Sequence, residues 1–249
     1  MRRRWLVATP VLLVAAAWLV VAWGRQGATG PAEAAALATA DRGAEHVTLS
    51  LVSSVLAVAV ALPAGVVVTR PRWRRLRGPA LFVANLGQTV PTVAFLALMF
   101  TVTGLGWRTA VLALWAYSLL PVLRNTVAGL SGVDPAVVEA ARGVGMSPGE
   151  VLARVELPLA RPVIVAGVRT AVVVNVGTAA LASFVGAGGL GDVIQIGINN
   201  QRDRILVVGA ALTALLALAA DWAVAALDAV ARRQPYEAWR ARRASSSAP

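Results

Sequence analysis

The sequence predicts an all-α polytopic membrane protein, a bundle of about six transmembrane helices, on three observations. Hydrophobic residues make up 58% of the 249 residues. Mean hydropathy is +0.71, too apolar for a soluble domain of this length. The apolar residues gather into runs near the ~20 residues that cross a bilayer. Arginines alternate from dense loops to sparse ones, as they do when successive loops lie on opposite sides of a membrane. The runs are apolar on every face, so the alternation of a transmembrane β-barrel is absent.

The first run, 5–23, follows Arg2, Arg3 and Arg4. It is longer than the ~7–15 residues of a signal-peptide core, so a retained helix is expected rather than a leader cleaved near Ala36, Ala38 or Ala40. Residues from Gly24 to Glu45 are rich in Ala and Gly and read as an external stretch. The remaining spans are expected at 47–69, 79–103, 109–130, 161–183 and 205–231. The chain then divides into a leading helix with its external segment (1–45), a core transmembrane domain (46–233) and a basic, partly disordered tail near the membrane surface (234–249).

Charge sets the expected orientation. Arg70, Arg72, Arg74, Arg75 and Arg77 separate the second and third spans; Arg124, Arg142, Arg154 and Arg161 surround the loop after the fourth; Arg232, Arg233, Arg240, Arg242 and Arg243 follow the last. The opposite side carries only Arg25, Arg42, Arg108, Arg202 and Arg204. Both termini and the 131–160 loop are therefore expected in the cytoplasm. The net charge of +11 reports topology and attraction to anionic lipid, not nucleic acid.

Composition excludes several chemistries. All 23 basic residues are arginine, and a Walker A phosphate loop needs a lysine. There is no cysteine and a single histidine, His46. A thiolate metal site, a cysteine nucleophile and a histidine cluster are thereby absent. His46 reads as a residue at the membrane interface. No catalytic constellation is present, so the chain is not expected to be an enzyme or to bind a metal or cofactor.

The segment Asp134–Pro158 carries the densest local signals. Asp134 suits an N-cap and Pro135 the first helical position. A short helix is expected to about Arg142, broken by Gly143 and Gly145. Ser147, Pro148 and Glu150 read as a capping box that starts a second helix. Pro158 is expected to end it. Two short helices around a glycine turn make a projection, and Ala140 and Ala141 leave room for a partner to approach.

Polar residues inside apolar runs mark a second region, since polar groups at membrane depth must face protein or water. In the third span Asn85, Gln88, Thr89 and Thr92 fall at i, i+3, i+4 and i+7, one face of a continuous helix. Pro91 is expected to kink that helix. Asn175 and Thr178 share a face of the fifth span. These six residues are candidates to line a translocation pathway or to bond helix to helix within the bundle. Gly186, Gly188, Gly189 and Gly191 permit tight turns and read as a re-entrant or external gate segment. Arg169 is expected to pair with Asp221 if their helices touch, or else to snorkel to the cytoplasmic interface.

The Asp134–Pro158 pattern Glu139, Ala140, Ala141, Gly145, Val155, Leu157, Pro158 resembles the EAA loop of permease subunits of ATP-binding-cassette (ABC) importers. The stretches QTVPTVAFLAL (Gln88–Leu98), LRNTVAGLSGVDPAVVEAARGVGM (Leu123–Met146) and LPLARPVIVAGVRTAVVVNVGTAALASFVGAGGLG (Leu157–Gly191) are similar to permeases for glycine betaine, carnitine and choline. The resemblance spans about 46–233, with Val155 standing where isoleucine is more usual. It implies a type I importer permease fold. It assigns Glu139, Ala140, Ala141, Gly145, Leu157 and Pro158 to docking on a separate cytoplasmic ATPase, which holds the ATP. The further partners implied are an extracytoplasmic solute-binding protein and a second or sister permease, in a bacterial plasma membrane. Methionine permeases share the EAA loop and the AGGLG ending. An importer for another small solute is therefore the alternative, and a channel or scaffold without an ATPase is the alternative of a different class.

Overall fold

The computed structural model describes the backbone of residues 4–26 and 39–246, and the side chains of 8–26 and 39–231. Ala36 and Ala38, the small residues of the cleavage reading, lie outside the described residues. Among those described, every regular element is helical.

Helix α1 spans Arg4–Arg25, α2 Thr39–Thr69, α3 Arg77–Thr89, α4 Thr92–Thr103 and α5 Trp107–Ser131. Two short helices follow, α6 (Pro135–Gly143) and α7 (Pro148–Val151), then α8 (Leu157–Ala179), α9 (Leu190–Asn199) and α10 (Asp203–Ser246). Among the described residues five helical runs are long and apolar enough to cross a membrane, and the bent pair Pro71–Thr89 with Thr92–Thr103, counted as one span, brings the number to six. The expected count therefore stands, but several boundaries move. α2 begins at Thr39, inside the stretch read as an external loop. α10 runs unbroken past the expected tail boundary, through Ala- and Arg-rich sequence that favours helix.

The centre of the bundle is α2, α5 and α8, which meet where side chains are smallest. A Cβ on Gly65 of α2 would lie 2.7 Å from the Thr126 side chain of α5. One on Gly167 of α8 would lie 2.7 Å from the Pro121 carbonyl of α5, and one on Gly129 of α5 would lie 3.0 Å from the Ala160 carbonyl of α8. Without a hydrophobic force between helices in lipid, such close backbone approach supplies the packing. Apolar clusters fill the gaps. Leu49, Leu96, Leu114 and Val185 lie toward one end of α5; Ala61, Leu120, Val127 and Ala171 lie toward the other. α10 packs on α8 and α9, α1 lies along α10, and α3 and α4 pack on α5.

Two proline predictions need correction. The third span is not one kinked helix. α3 and α4 are bent by 100°, because Pro91 lacks an N–H and holds the preceding Val90 extended at φ −78°, ψ 130°. Conversely, Pro158 does not end the helix that Pro148 begins. A π turn, Leu152–Glu156, widens the backbone so that Leu157 N–H bonds back to the Leu152 carbonyl. The extra residue in that turn absorbs Pro158, and the helical path continues to Ala179.

Candidate functional site

The hairpin α6–α7 is built from local chemistry. The Asp134 carboxylate accepts the Ala136 N–H at 2.9 Å and caps α6. Gly145 closes α6 at φ +88°. Gly145 N–H bonds the Arg142 carbonyl at 2.9 Å and Met146 N–H reaches the Ala141 carbonyl at 3.2 Å, a glycine-terminated helix end. Ser147 and Glu150 form the expected capping box, with Ser147 N–H donating to Glu150 Oε2 at 3.0 Å. Glu139, Ala140, Gly145 and Pro158 are exposed, Leu157 is half-buried, and Ala141 is buried. Val144, at 81% exposure, is an apolar side chain held out at the tip. One anchor escaped the sequence reading. Arg70, in the turn after α2, donates to Glu156 at 2.6 Å, and Glu156 is buried. The projection is thus bolted to the end of α2.

The residues assigned to the pathway do not form one set. Asn85 and Thr89 are exposed on α3 and Gln88 is half-buried there, but Thr92 lies across the 100° break on α4. The single-face reading of these four fails for that reason. The break is held from α5. Gln88 Nε2 donates to the Tyr117 carbonyl at 2.9 Å, and the Tyr117 hydroxyl donates to the Val90 carbonyl. Phe95 stands edge-on to the Tyr117 ring with centroids 5.9 Å apart. Asn175 is fully buried. Its amide lies 3.0 Å from the Ser53 hydroxyl and 2.9 Å from that of Ser54, and its nitrogen, turned toward α5, donates to the Leu114 carbonyl at 2.9 Å. In this conformation Asn175 ties α2, α5 and α8 together and meets no open path. Thr178 is half-buried and donates to the Val174 carbonyl of its own helix.

The glycine segment is compact. A 3₁₀ turn, Ala180–Val185, follows α8, and Gly186, Gly188 and Gly189 take φ of +71°, +77° and +90° before α9 begins. Gly191 faces that turn, where a Cβ would lie 2.8 Å from the Ser183 hydroxyl oxygen. The segment contacts the start of α2. His46 is fully buried there. Its partners come from 130 and 144 residues away, so no local pattern announces them.

Two ion pairs join α8 to α10. Arg169 meets both carboxylate oxygens of Asp221 at 2.6 and 2.8 Å, as expected, and Arg161 donates to Asp228 at 2.9 Å. Arg169 and Asp221 sit in an open groove of about 770 Å³ between α8 and α10, walled by Ala166, Val173, Ala214 and Leu218. Among the described residues no group of His, Cys, Asp or Glu is arranged to hold a metal.

Residues 61–233 match the family described as the binding-protein-dependent transport system inner membrane component. The chain is 44% identical over 184 residues to the choline transport system permease protein OpuBB of Bacillus subtilis (strain 168), covering 74% of this chain and 84% of that one. It is 44% identical over 177 residues to the carnitine transport permease protein OpuCD of Listeria monocytogenes serotype 1/2a (strain 10403S), covering 71% and 78%. Among solved structures it is similar to the MetNI methionine ABC transporter in an inward-facing conformation, with TM-score 0.64 and 25% identity over 74% of this chain and 91% of that one. An amino acid ABC transporter shares the fold at TM-score 0.63 and 19% identity, covering 75% and 91%.

Proposed function

The chain belongs to the binding-protein-dependent transport system inner membrane component family, and on that premise we propose that it is the permease subunit of an ATP-driven importer for quaternary-amine solutes such as choline, carnitine and glycine betaine. The observation that carries the permease reading is the α6–α7 hairpin, and the 44% identity to choline and carnitine permeases supports the solute class. It is rigidly capped, it projects Glu139, Ala140 and Val144, and it is anchored through Arg70 and Glu156 to α2. It is a lever suited to dock on a separate ATPase, which binds and hydrolyses the ATP; without a lysine this chain has no Walker A loop. The arginine distribution supports a cytoplasmic hairpin and cytoplasmic termini. Gln88, Thr89 and Thr92 around the helix break, with Asn85 beside them, offer the polar lining, and the Phe95–Tyr117 pair offers aromatic faces of the kind that hold quaternary ammonium.

The Arg169–Asp221 pair supports a second permease copy or a sister subunit. The two side chains are 41% and 33% exposed, and an ion pair at membrane depth requires cover by protein or water rather than hydrocarbon. A solute-binding protein completes the system on the external face, beside the glycine segment.

The test is uptake by the complete system of choline, carnitine and glycine betaine against methionine. Uptake of a quaternary amine is expected. Methionine uptake alone would favour the second reading, which the fold likeness to the methionine transporter supports. Labelling of cysteines introduced at Ser147 and Gly106 checks orientation: Ser147 is expected to react from the cytoplasm and Gly106 from outside.

A further inference from the structure

Helix α9 starts without a cap of its own. Its N-cap residue is Gly189, which has no side chain to accept the free N–H groups of the first turn. Helix α2, more than 140 residues earlier in the chain, supplies the acceptors. Glu45 Oε2 accepts the Gly189 N–H at 3.0 Å, and His46 Nδ1 accepts the Leu190 N–H at 3.3 Å. With Nδ1 accepting, the imidazole proton sits on Nε2, which donates to the Val176 carbonyl of α8 at 2.8 Å. One turn earlier Arg42 bonds Asp192, in the first turn of α9, at 2.8 Å. Arg42, Glu45 and His46 lie at i, i+3 and i+4, one face of α2.

The glycines fit this arrangement twice over. Gly188 and Gly189 both have positive φ. A Cβ on Gly188 would lie 2.5 Å from Glu45 Oε2, and one on Gly189 would lie 3.2 Å from His46 Nδ1. The segment is bare so that α2 can reach its backbone.

We infer that Arg42, Glu45 and His46 are positioning residues for transport: a cap supplied from α2 that clamps the glycine segment and the start of α9, so that α2, the end of α8 and α9 move as one body. This rests on the permease reading of the chain. A carboxylate and a neutral imidazole at a helix N-terminus also oppose its positive end with negative and lone-pair density. The gate, in this arrangement, is not a free loop. Its position follows the tilt of α2, whose far end is tied through Arg70 and Glu156 to the coupling hairpin. One helix thereby links the two regions.

The test uses the full transporter in proteoliposomes, with its ATPase and binding protein. Arg42→Asp and Asp192→Arg are each expected to lower the maximal uptake rate about fivefold while the half-saturating concentration of loaded binding protein stays within about twofold, and the double exchange is expected to restore the rate. His46→Leu removes both bonds and is expected to cost about tenfold; His46→Asn, whose Oδ1 overlies Nδ1, retains most of the rate. Failure of the exchange to restore uptake, equal rates for Leu and Asn at position 46, or a change confined to half-saturation would each overturn the clamp. Hydrolysis stimulated by binding protein is read in parallel. Normal stimulated hydrolysis in the wild type without choline or glycine betaine uptake would sink the solute assignment, and the clamp would then be judged on hydrolysis in the same variants.

Discussion

The α6–α7 hairpin and the α2–α5–α8 seam are held by different kinds of interaction. The hairpin is made of contacts between residues two to five apart: Asp134 on Ala136, Met146 on Ala141, Ser147 with Glu150. The seam is made of contacts such as Asn175 with Ser53 and Ser54, 122 and 121 residues away. Local contacts fix the shape of a projection without reference to the rest of the fold. Distant contacts fix how helices sit together and leave little trace in any one stretch. A change in the hairpin should therefore alter coupling and spare the bundle, whereas a change in the seam should alter the bundle first.

The largest expected effect comes at the hairpin tip. Gly145→Val forces a β-branched residue into φ +88°, which costs about 1–3 kcal/mol locally and re-aims α7 against α6. Glu139→Arg reverses a charge on the exposed face. Both variants are expected to insert and to hold their wild-type melting temperature in detergent, and to lose binding-protein-stimulated ATP hydrolysis by about tenfold or more. Full stimulated hydrolysis in both would remove the coupling role from the hairpin.

The next effect tests the ion pair that joins α8 of the seam to α10. Arg169→Leu leaves Asp221 without its bidentate partner at membrane depth, and it is expected to lower assembly yield by severalfold. Arg169→Leu combined with Asp221→Leu removes both charges and is expected to recover assembly, measured by co-purification with the ATPase. If the double variant assembles but does not transport, the pair faces the path; if it transports normally, the pair only positions helices.

Asn175→Leu probes the seam's interior. Losing its bonds to α2 and α5 is expected to cost about 1–2 kcal/mol, read as a lower melting temperature of the purified permease. Solute preference should not change, because the side chain meets no open path in this conformation. A changed preference at unchanged stability would place Asn175 on the pathway in another state of the cycle.

How much was legible follows the same division. Asp134, Pro135, Gly145, Ser147 and Glu150 announced the hairpin because caps, prolines and turn glycines act on their own neighbours. The Arg169–Asp221 pair was legible for another reason: charges inside apolar runs must find each other. Pro91 reads from sequence as a kink within one helix rather than a break, so Asn85, Gln88, Thr89 and Thr92 were placed on one face across it as though the helix continued. Pro158 was misread because a π turn can absorb a proline, and nothing in LARVE signals one. The partners of His46, Glu45 and Arg42 were not legible because they lie on α8, the glycine segment and α9, and a residue's environment there depends on how helices pack.

The smallest expected effect sharpens the comparison from the local side. Ser147→Ala deletes the hydroxyl that accepts the Glu150 N–H, while the Ser147 N–H still donates to Glu150 Oε2 at 3.0 Å. Half of the capping box survives, so the cost is about 0.5–1 kcal/mol, the lower part of the usual range for a lost cap. α7 has only four residues and is continuous with the π turn and α8, which hold it from the other side. The loss should therefore appear as faster amide hydrogen exchange at Glu150 and Val151, with the melting temperature unmoved and stimulated hydrolysis reduced by no more than about twofold. Such a result would confirm that the hairpin's stiffness is assembled from small neighbouring terms. A global drop in melting temperature would show instead that this cap belongs to the cooperative core, and the division between projection and seam would have to be redrawn at Val151.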